Sequence, residues 1–361
     1  MSRVVIAAGG TGGHVFPALA VAAELQARGV EVHFLGTPDG LETRAVPAAG
    51  FPLETVSMRG LRGGGWRRWT ALPATLGRTV WAAGSALRRL RPSAVLAMGG
   101  YAAVPAGLAA RLGGRRLVVH EQNAVPGLAV RSLRRLAERI LTGFPEAAEA
   151  LGPRAEWAGI PVRRQLLALP APGQRYGNRQ GPLRVLVFGG SQGARFLNRQ
   201  VPSWLAAGSR AIHVWHQSGE RELEEVRSAY YEHGLEAEVV PFIDDMAAAF
   251  AWADLAVCRA GAATVAELAA VGLPAVLVPF PYAVDDHQRR NAEALVSRGA
   301  ALCVAQSEWD PVALGARLDG DLGERSCLAE MAEAARAFAR PDAAAVVADA
   351  CLGWEETDHA A

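Results

Sequence analysis

Short apolar runs recur along the chain, bounded by glycine, proline or charge, and most lead into segments whose apolar positions fall every three or four residues. Val4-Val5-Ile6-Ala7-Ala8 enters Gly9-Gly10-Thr11-Gly12-Gly13-His14, and a helical pattern follows over 18–27. Much later, Val185-Leu186-Val187-Phe188 enters Gly189-Gly190-Ser191-Gln192-Gly193, with a helical pattern over 196–205. A buried strand, a glycine turn and a helix open a doubly wound α/β unit, in which glycines admit close backbone approach and the helix N-terminus faces a phosphate. Two such openings predict tandem Rossmann-like domains. Further strands are predicted at 30–34, 94–98 and 117–119 in the first half, and at 212–215, 255–258 and 275–278 in the second, separated by helices as parallel sheets require. Residues 169–182 (LPAPGQRYGNRQGP) lack periodicity and read as an interdomain linker or exposed loop. Neither half has G-x-G-x-x-G with an acid about twenty positions on, so no NAD site is expected.

Composition sharpens this picture. A chain of 361 residues, 51% hydrophobic and 20% charged, has material for two cores. All 37 basic residues are arginine, which excludes Schiff-base chemistry and a Walker-type lysine. The net charge of +1 hides a split: residues 1–150 carry 18 Arg against 9 acids, and residues 151–361 carry 19 Arg against 27 acids. Cys258, Cys303, Cys327 and Cys351 are scattered, which suggests reduced thiols in a cytosolic compartment. The N-terminal apolar run is too short for a signal peptide, and the longest uncharged stretch, 92–110, is broken by Gly99-Gly100 and Pro105.

The arginines concentrate between residues 55 and 120, where eleven occur without one Asp or Glu. Within this stretch Trp69, Leu72, Leu76, Val80, Ala83, Leu87 and Leu90 follow helical spacing, with Pro73 expected near the helix start. The stripe itself reads as core packing. Trp66 and Trp81 lie off it beside Arg67, Arg68, Arg78 and Arg89, as an interfacial surface on anionic lipid would have them. No nucleic-acid recognition motif accompanies the arginines.

A metal-binding D-x-D pair is offered only by Asp319-Gly320-Asp321, which reads as a solvated turn; Asp244-Asp245 and Asp285-Asp286 are adjacent pairs that a strand would splay. Gly261-Ala262-Ala263-Thr264, opening a helix over 265–270, instead offers backbone donors to an anion. No metal or other cofactor is expected.

The ordered set GGTGGHVFPALA (9–20), GGY (99–101), HEQN (120–123), GGSQGA (189–194), FIDDM (242–246) and CRAGAATVAE (258–267) resembles the undecaprenyldiphospho-muramoylpentapeptide β-N-acetylglucosaminyltransferases of glycosyltransferase family 28. The resemblance implies an α/β GT-B fold, two Rossmann-like domains with parallel sheets facing an interdomain cleft. Residues 1–162 would bind acceptor and membrane, 163–340 would bind the UDP-sugar, and a helix within 341–361 would return to the first domain. The implied reaction moves N-acetylglucosamine from UDP-GlcNAc to the 4-hydroxyl of the lipid-linked muramoyl pentapeptide, with inversion, at the cytoplasmic face of the bacterial cell membrane. A UDP-N-acetylglucosamine 2-epimerase on the same fold is the alternative, and a non-catalytic nucleotide-sugar binder a third reading.

By the same resemblance, the donor diphosphate lies at Ala262, Ala263, Thr264, Val265 and Ala266 with Ser191 and Arg163, and near Thr11, Gly12 and Gly13. Glu267 accepts the ribose hydroxyls, the backbone of Ile243 meets the uracil, and Asn123 and Gln288 hold the sugar. Gly10, Gly12, Gly13, Gly99, Gly100 and Tyr101 receive the acceptor diphosphate. Trp66, Arg67, Arg68, Trp69 and Trp81 form the membrane patch. His14 is the candidate general base, since an ordinary imidazole pKa near 6.5 suits deprotonation of a hydroxyl; Glu121 is the runner-up. Two positions depart from the family pattern: Ile160 replaces the Asn before Pro-Val-Arg, and His287 the first Gln of a Gln-Gln pair.

Overall fold

A computed structural model of the chain describes residues 2–56, 66–177, 179–190 and 194–353, with the backbone alone over 66–74. The chain forms two compact units, Met1–Arg163 with Arg340–Ala361, and Arg164–Ala339.

The first unit is built on seven strands: β1 (Arg3–Ala7), β2 (Glu31–Gly36), β3 (Leu53–Thr55), β4 (Ala94–Ala97), β5 (Arg116–Glu121), β6 (Arg139–Thr142) and β7 (Ala155–Trp157). All pair in parallel, in the order β3-β2-β1-β4-β5-β6-β7. Val4, Val5 and Ile6 are all fully buried, so both faces of the sheet are covered and the apolar run is continuous rather than alternating. The order reverses between β1 and β4, which places the loops after these strands at the switch point where open α/β sheets receive ligands. The helix Ala343–Leu352 completes this unit. Its Val347, Ala348, Ala350 and Cys351 join the core of Val4, Ile6, Ala18 and Leu25, and Asp349 pairs with Arg28.

The arginine-rich stretch supplies the helix Trp66–Leu90, which begins ahead of Pro73 rather than at it. The apolar spacing that starts at Trp69 runs straight through the proline. Ala83, Ala86, Leu87 and Leu90 bury against Ala106, Ala109 and Ala110 of the helix Ala103–Leu112, with Val80 packed beside them, so the stripe from Val80 onward is core. Arg78, Arg88 and Arg89 stay exposed, and Trp81 leaves 70% of its surface open.

The second unit carries β8 (Leu183–Phe188), β9 (Ile212–Gln217), β10 (Glu236–Val240), β11 (Leu255–Cys258), β12 (Ala275–Leu277) and β13 (Ala301–Cys303), parallel throughout in the order β10-β9-β8-β11-β12-β13. Its switch point lies between β8 and β11.

The expected linker at 169–182 is corrected. Its middle forms a short helix, Pro172–Gly177, in which Pro172, Arg175 and Tyr176 are buried. The Arg175 guanidinium donates to the carbonyls of Val271, Gly272 and Phe250, and the Tyr176 hydroxyl donates to the Asp254 carbonyl at 2.6 Å. Arg179 adds an ion pair to the buried Asp254. Local composition reads as a loop because the groups that order this segment are carbonyls some seventy to a hundred residues away in sequence.

Candidate functional site

In the first unit, the loops after β1 and β4 meet. A Cβ on Gly100 would lie 2.2 Å from the Gly9 carbonyl oxygen, so only glycine allows the contact. His14 stands in the first turn of the helix Gly12–Ala27, half-buried, with Nδ1 3.3 Å from the Thr11 hydroxyl. Its ring packs on Gly99, where an added Cβ would come within 2.8 Å of Nε2. The amides of His14 and Val15 already bond the Thr11 carbonyl, at 3.1 and 3.2 Å, so those of Gly12 and Gly13 lie outside the helical ladder. No side chain caps this helix and its first turn holds no acid. Tyr101 follows, 43% exposed. The structure thus gathers Thr11, Gly12, Gly13, His14, Gly99 and Gly100 in one place.

A residue that sequence reasoning missed holds this loop. Glu42, fully buried, accepts the Gly10 amide at 2.9 Å with one carboxylate oxygen. Its other oxygen accepts the Thr37 amide at 2.8 Å and the Thr37 hydroxyl at 2.6 Å. A Cβ on Gly9 or Gly40 would fall within 2.3 Å of the carboxylate, so the chain leaves room for it with glycines. Burial pushes the Glu42 carboxyl up, but these donors prevail and hold it below the usual carboxylate range. Glu42 follows the second strand, near where dinucleotide folds keep an acid for a ribose; here the acid turns to the loop's own amide.

Glu121, at the end of β5, is buried and faces inward. It accepts the amides of Asn123 at 2.9 Å and Gly127 at 2.7 Å, and the Asn123 side-chain amide at 3.3 Å. Burial raises its pKa against these bonds. Its observed work is to shape the loop that presents Asn123. Arg163 closes the unit with its guanidinium 5.3 Å from the Phe16 ring, on the helix that carries His14. Ile160 is buried against Gly143, so the departure from asparagine is absorbed as packing.

In the second unit, the helix Ala262–Val271 starts at Gly261 with no side-chain cap and no acid in its first turn. Its ladder opens with Val265 bonding the Gly261 carbonyl, leaving the amides of Ala262, Ala263 and Thr264 outside it. At the other end, Arg175 neutralises the Val271 and Gly272 carbonyls, so both termini suit an anion at the start. Other helices here are closed by acids: Asp245 accepts the Ala248 amide, and Asp310 those of Val312 and Ala313. Arg259, also missed, donates to the carbonyls of Val278 and Pro279 and to Gln306. Glu267 is half-buried on the same helix. Ile243 is buried, and its amide donates to the Gln217 side chain at 3.0 Å. Gln288 accepts the Phe280 amide at 2.9 Å, and His287 turns back to within 2.7 Å of the Val284 carbonyl oxygen. Asp285 and Asp286 stand in a left-handed turn, exposed. Ser191 lies outside the described residues, as do the side chains of Trp66, Arg67, Arg68 and Trp69. Asp319 accepts the Ser209 amide and Asp321 pairs with Arg317, so this D-x-D is a surface turn. Among the described residues, no group of three or more His, Cys, Asp or Glu could hold a metal ion.

Each unit also buries a histidine beside its site. His120 lies 2.8 Å from the Gly159 carbonyl and burial pushes its pKa down to about 4. His216 bridges Tyr230 and Asn198 at 2.9 and 3.0 Å and is pushed down to about 3, again by burial. Both stay neutral where an unfolded histidine, near 6.5, is charged, so the unfolded state binds more protons as pH falls. Stability is therefore complete above about pH 6.5 and is lost below it, by about 2 kcal/mol per histidine at pH 5. Guanidinium denaturation midpoints at pH 7.5 and pH 5 check this; equal midpoints would contradict it.

Residues 4–142 match the glycosyltransferase family 28 N-terminal domain, and residues 184–347 its C-terminal domain. The chain is similar to a protein of Halorhodospira halophila named UDP-N-acetylglucosamine--N-acetylmuramyl-(pentapeptide) pyrophosphoryl-undecaprenol N-acetylglucosamine transferase, 58% identical over 99% of this chain and 98% of that one. The crystal structure of Acinetobacter baumannii MurG superposes with a TM-score of 0.84 at 38% identity, covering 98% of this chain and 100% of that one. A putative UDP-N-acetylglucosamine 2-epimerase from Listeria monocytogenes shares the fold alone, at a TM-score of 0.66 and 14% identity over 95% of this chain and 94% of that one.

Proposed function

The chain belongs to glycosyltransferase family 28, with a GT-B fold, and on that premise we propose that it transfers N-acetylglucosamine from UDP-GlcNAc to the 4-hydroxyl of undecaprenyl-diphospho-MurNAc-pentapeptide, with inversion, in peptidoglycan synthesis. The observation that carries this reading is the 58% identity over 99% of the chain to a relative named for that transfer.

The site chemistry supports it. The second unit holds the donor: the open amides of Ala262, Ala263 and Thr264, with Ser191, meet the diphosphate, and the charge that grows on it as the glycosidic bond breaks is stabilised by these fixed donors. Glu267 takes the ribose hydroxyls, Ile243 the uracil, and Gln288 the sugar. The first unit holds the acceptor diphosphate at Gly12, Gly13, Gly99, Gly100 and Tyr101. His14 beside these loops accepts the proton of the attacking hydroxyl, while Glu121 shapes the loop of Asn123.

The acceptor's lipid tail stays in a bilayer, and among the described residues no helix is long and apolar enough to cross one. We assign the protein to the membrane's cytoplasmic face, held by the arginine-rich first unit with exposed Trp81 as an anchor. Incubation with labelled UDP-GlcNAc and a chelator, with and without the lipid-linked pentapeptide, tests the reading. Label reaching the lipid only when acceptor is present is the expected result. Label appearing in the 2-epimer without acceptor would overturn it in favour of an isomerase.

A further inference from the structure

One buried side chain joins two loops of the second unit that the sequence treats as unrelated. Gln217 is the last residue of β9, the strand between β8 and β10, and is 4% exposed. Its side-chain nitrogen donates to the Gly190 carbonyl, in the glycine loop after β8, at 2.8 Å. Its side-chain oxygen accepts the Ile243 amide, in the loop after β10, at 3.0 Å. Neighbouring strands lie about 4.8 Å apart, so the two loops are separated by roughly two strand spacings. One amide group spans that gap with both of its ends.

Both loops leave the carboxyl ends of their strands, where open α/β sheets bind ligands, and the Gly190 loop lies at the switch point beside β11. A Gln carboxamide donates to the carbonyl with its nitrogen and accepts from the amide with its oxygen; Glu cannot donate when ionised, and Asn is shorter by one methylene. We propose that Gln217 is a positioning residue for the donor. It fixes the spacing between the loop that receives the diphosphate and the loop that receives the base, and so selects uracil nucleotides. This rests on the donor site proposed above.

Two variants separate the arms of the bridge. Gln217→Met removes both bonds at similar volume. Gln217→Glu keeps an acceptor for the Ile243 amide but sets a carboxylate against the Gly190 carbonyl. Calorimetry on the full chain would use UMP, UDP and CDP, alongside steady-state kinetics with UDP-GlcNAc and the lipid-linked acceptor.

Loss of both bonds in Gln217→Met should raise the UDP dissociation constant and the UDP-GlcNAc KM about tenfold and reduce the preference for UDP over CDP by a similar factor. Its kcat and acceptor KM should stay within about threefold of the parent. Gln217→Glu should weaken UDP more than UMP, because its remaining bond lies on the base side. Unchanged donor KM in both variants, or kcat and both KM values worsening together, would overturn the proposal. So would loss of the folded state in both variants, which would make Gln217 a packing residue only. Failure of the parent protein to bind UDP at all would instead remove the donor-site reading beneath it.

Discussion

A His14→Ala variant is expected to turn over two to four orders of magnitude more slowly, roughly the contribution of a positioned general base. Its KM for UDP-GlcNAc should remain within about threefold of the parent, because the imidazole acts on the acceptor hydroxyl and not on donor binding. The ring stands in the first turn of the helix whose Gly12 and Gly13 amides are open, packed on Gly99 of the second acceptor loop. Steady-state kinetics with both substrates varied will check it. Near-native turnover in the variant would move the base elsewhere; Glu121 is then a poor substitute, since its carboxylate is taken up by the Asn123 and Gly127 amides.

The second large effect concerns Glu42. Glu42→Ala leaves the half-buried Gly10 amide, Thr37 amide and Thr37 hydroxyl without their acceptor, at an expected cost of about 3 kcal/mol. Glu42→Gln is the more informative change. Its single carbonyl oxygen can keep the Thr37 pair, but its amino group then faces the Gly10 amide, donor against donor. The acceptor KM should rise about tenfold while the UDP-GlcNAc KM holds, because Gly10 belongs to the first unit's loop and not to the donor helix. The sign of the pH effect follows from a carboxyl held below its usual range: stability is present above about pH 4.5 and is lost as pH falls through the lowered folded value. Denaturation midpoints and two-substrate kinetics measure both; equal shifts in the two KM values would contradict the loop assignment.

The two glycine loops are secured in parallel ways. In the first unit a side chain beyond β2 reaches back to the loop after β1; in the second a side chain on β9 reaches across to the loop after β8. Neither was legible in the sequence. Glu42 reads as one acid in a turn, and Gln217 as the polar end of a strand. Their partners are backbone groups 32 and 27 residues away, respectively, so no side-chain pattern marks the pair. The segment at 169–182 failed for a related reason. Its proline and glycine content is that of a loop, yet Arg175 finds the carbonyl end of the helix Ala262–Val271 and Tyr176 the Asp254 carbonyl, and those bonds make it part of the unit's core.

What the sequence determined by itself was everything carried by local periodicity: two openings of strand, glycine turn and helix, the parallel architecture of both halves, and the amphipathic stripe that packs inward from Val80 to Leu90. The placement of His14 and of Ala262–Thr264 at the starts of their helices was legible too, because each lies within a few residues of the turn that precedes it. Only the tertiary structure decided which groups hold those turns in place. A helix or strand is specified by neighbours along the chain, whereas a buried polar group is specified by whatever backbone donors and carbonyls the fold brings within about 3 Å of it.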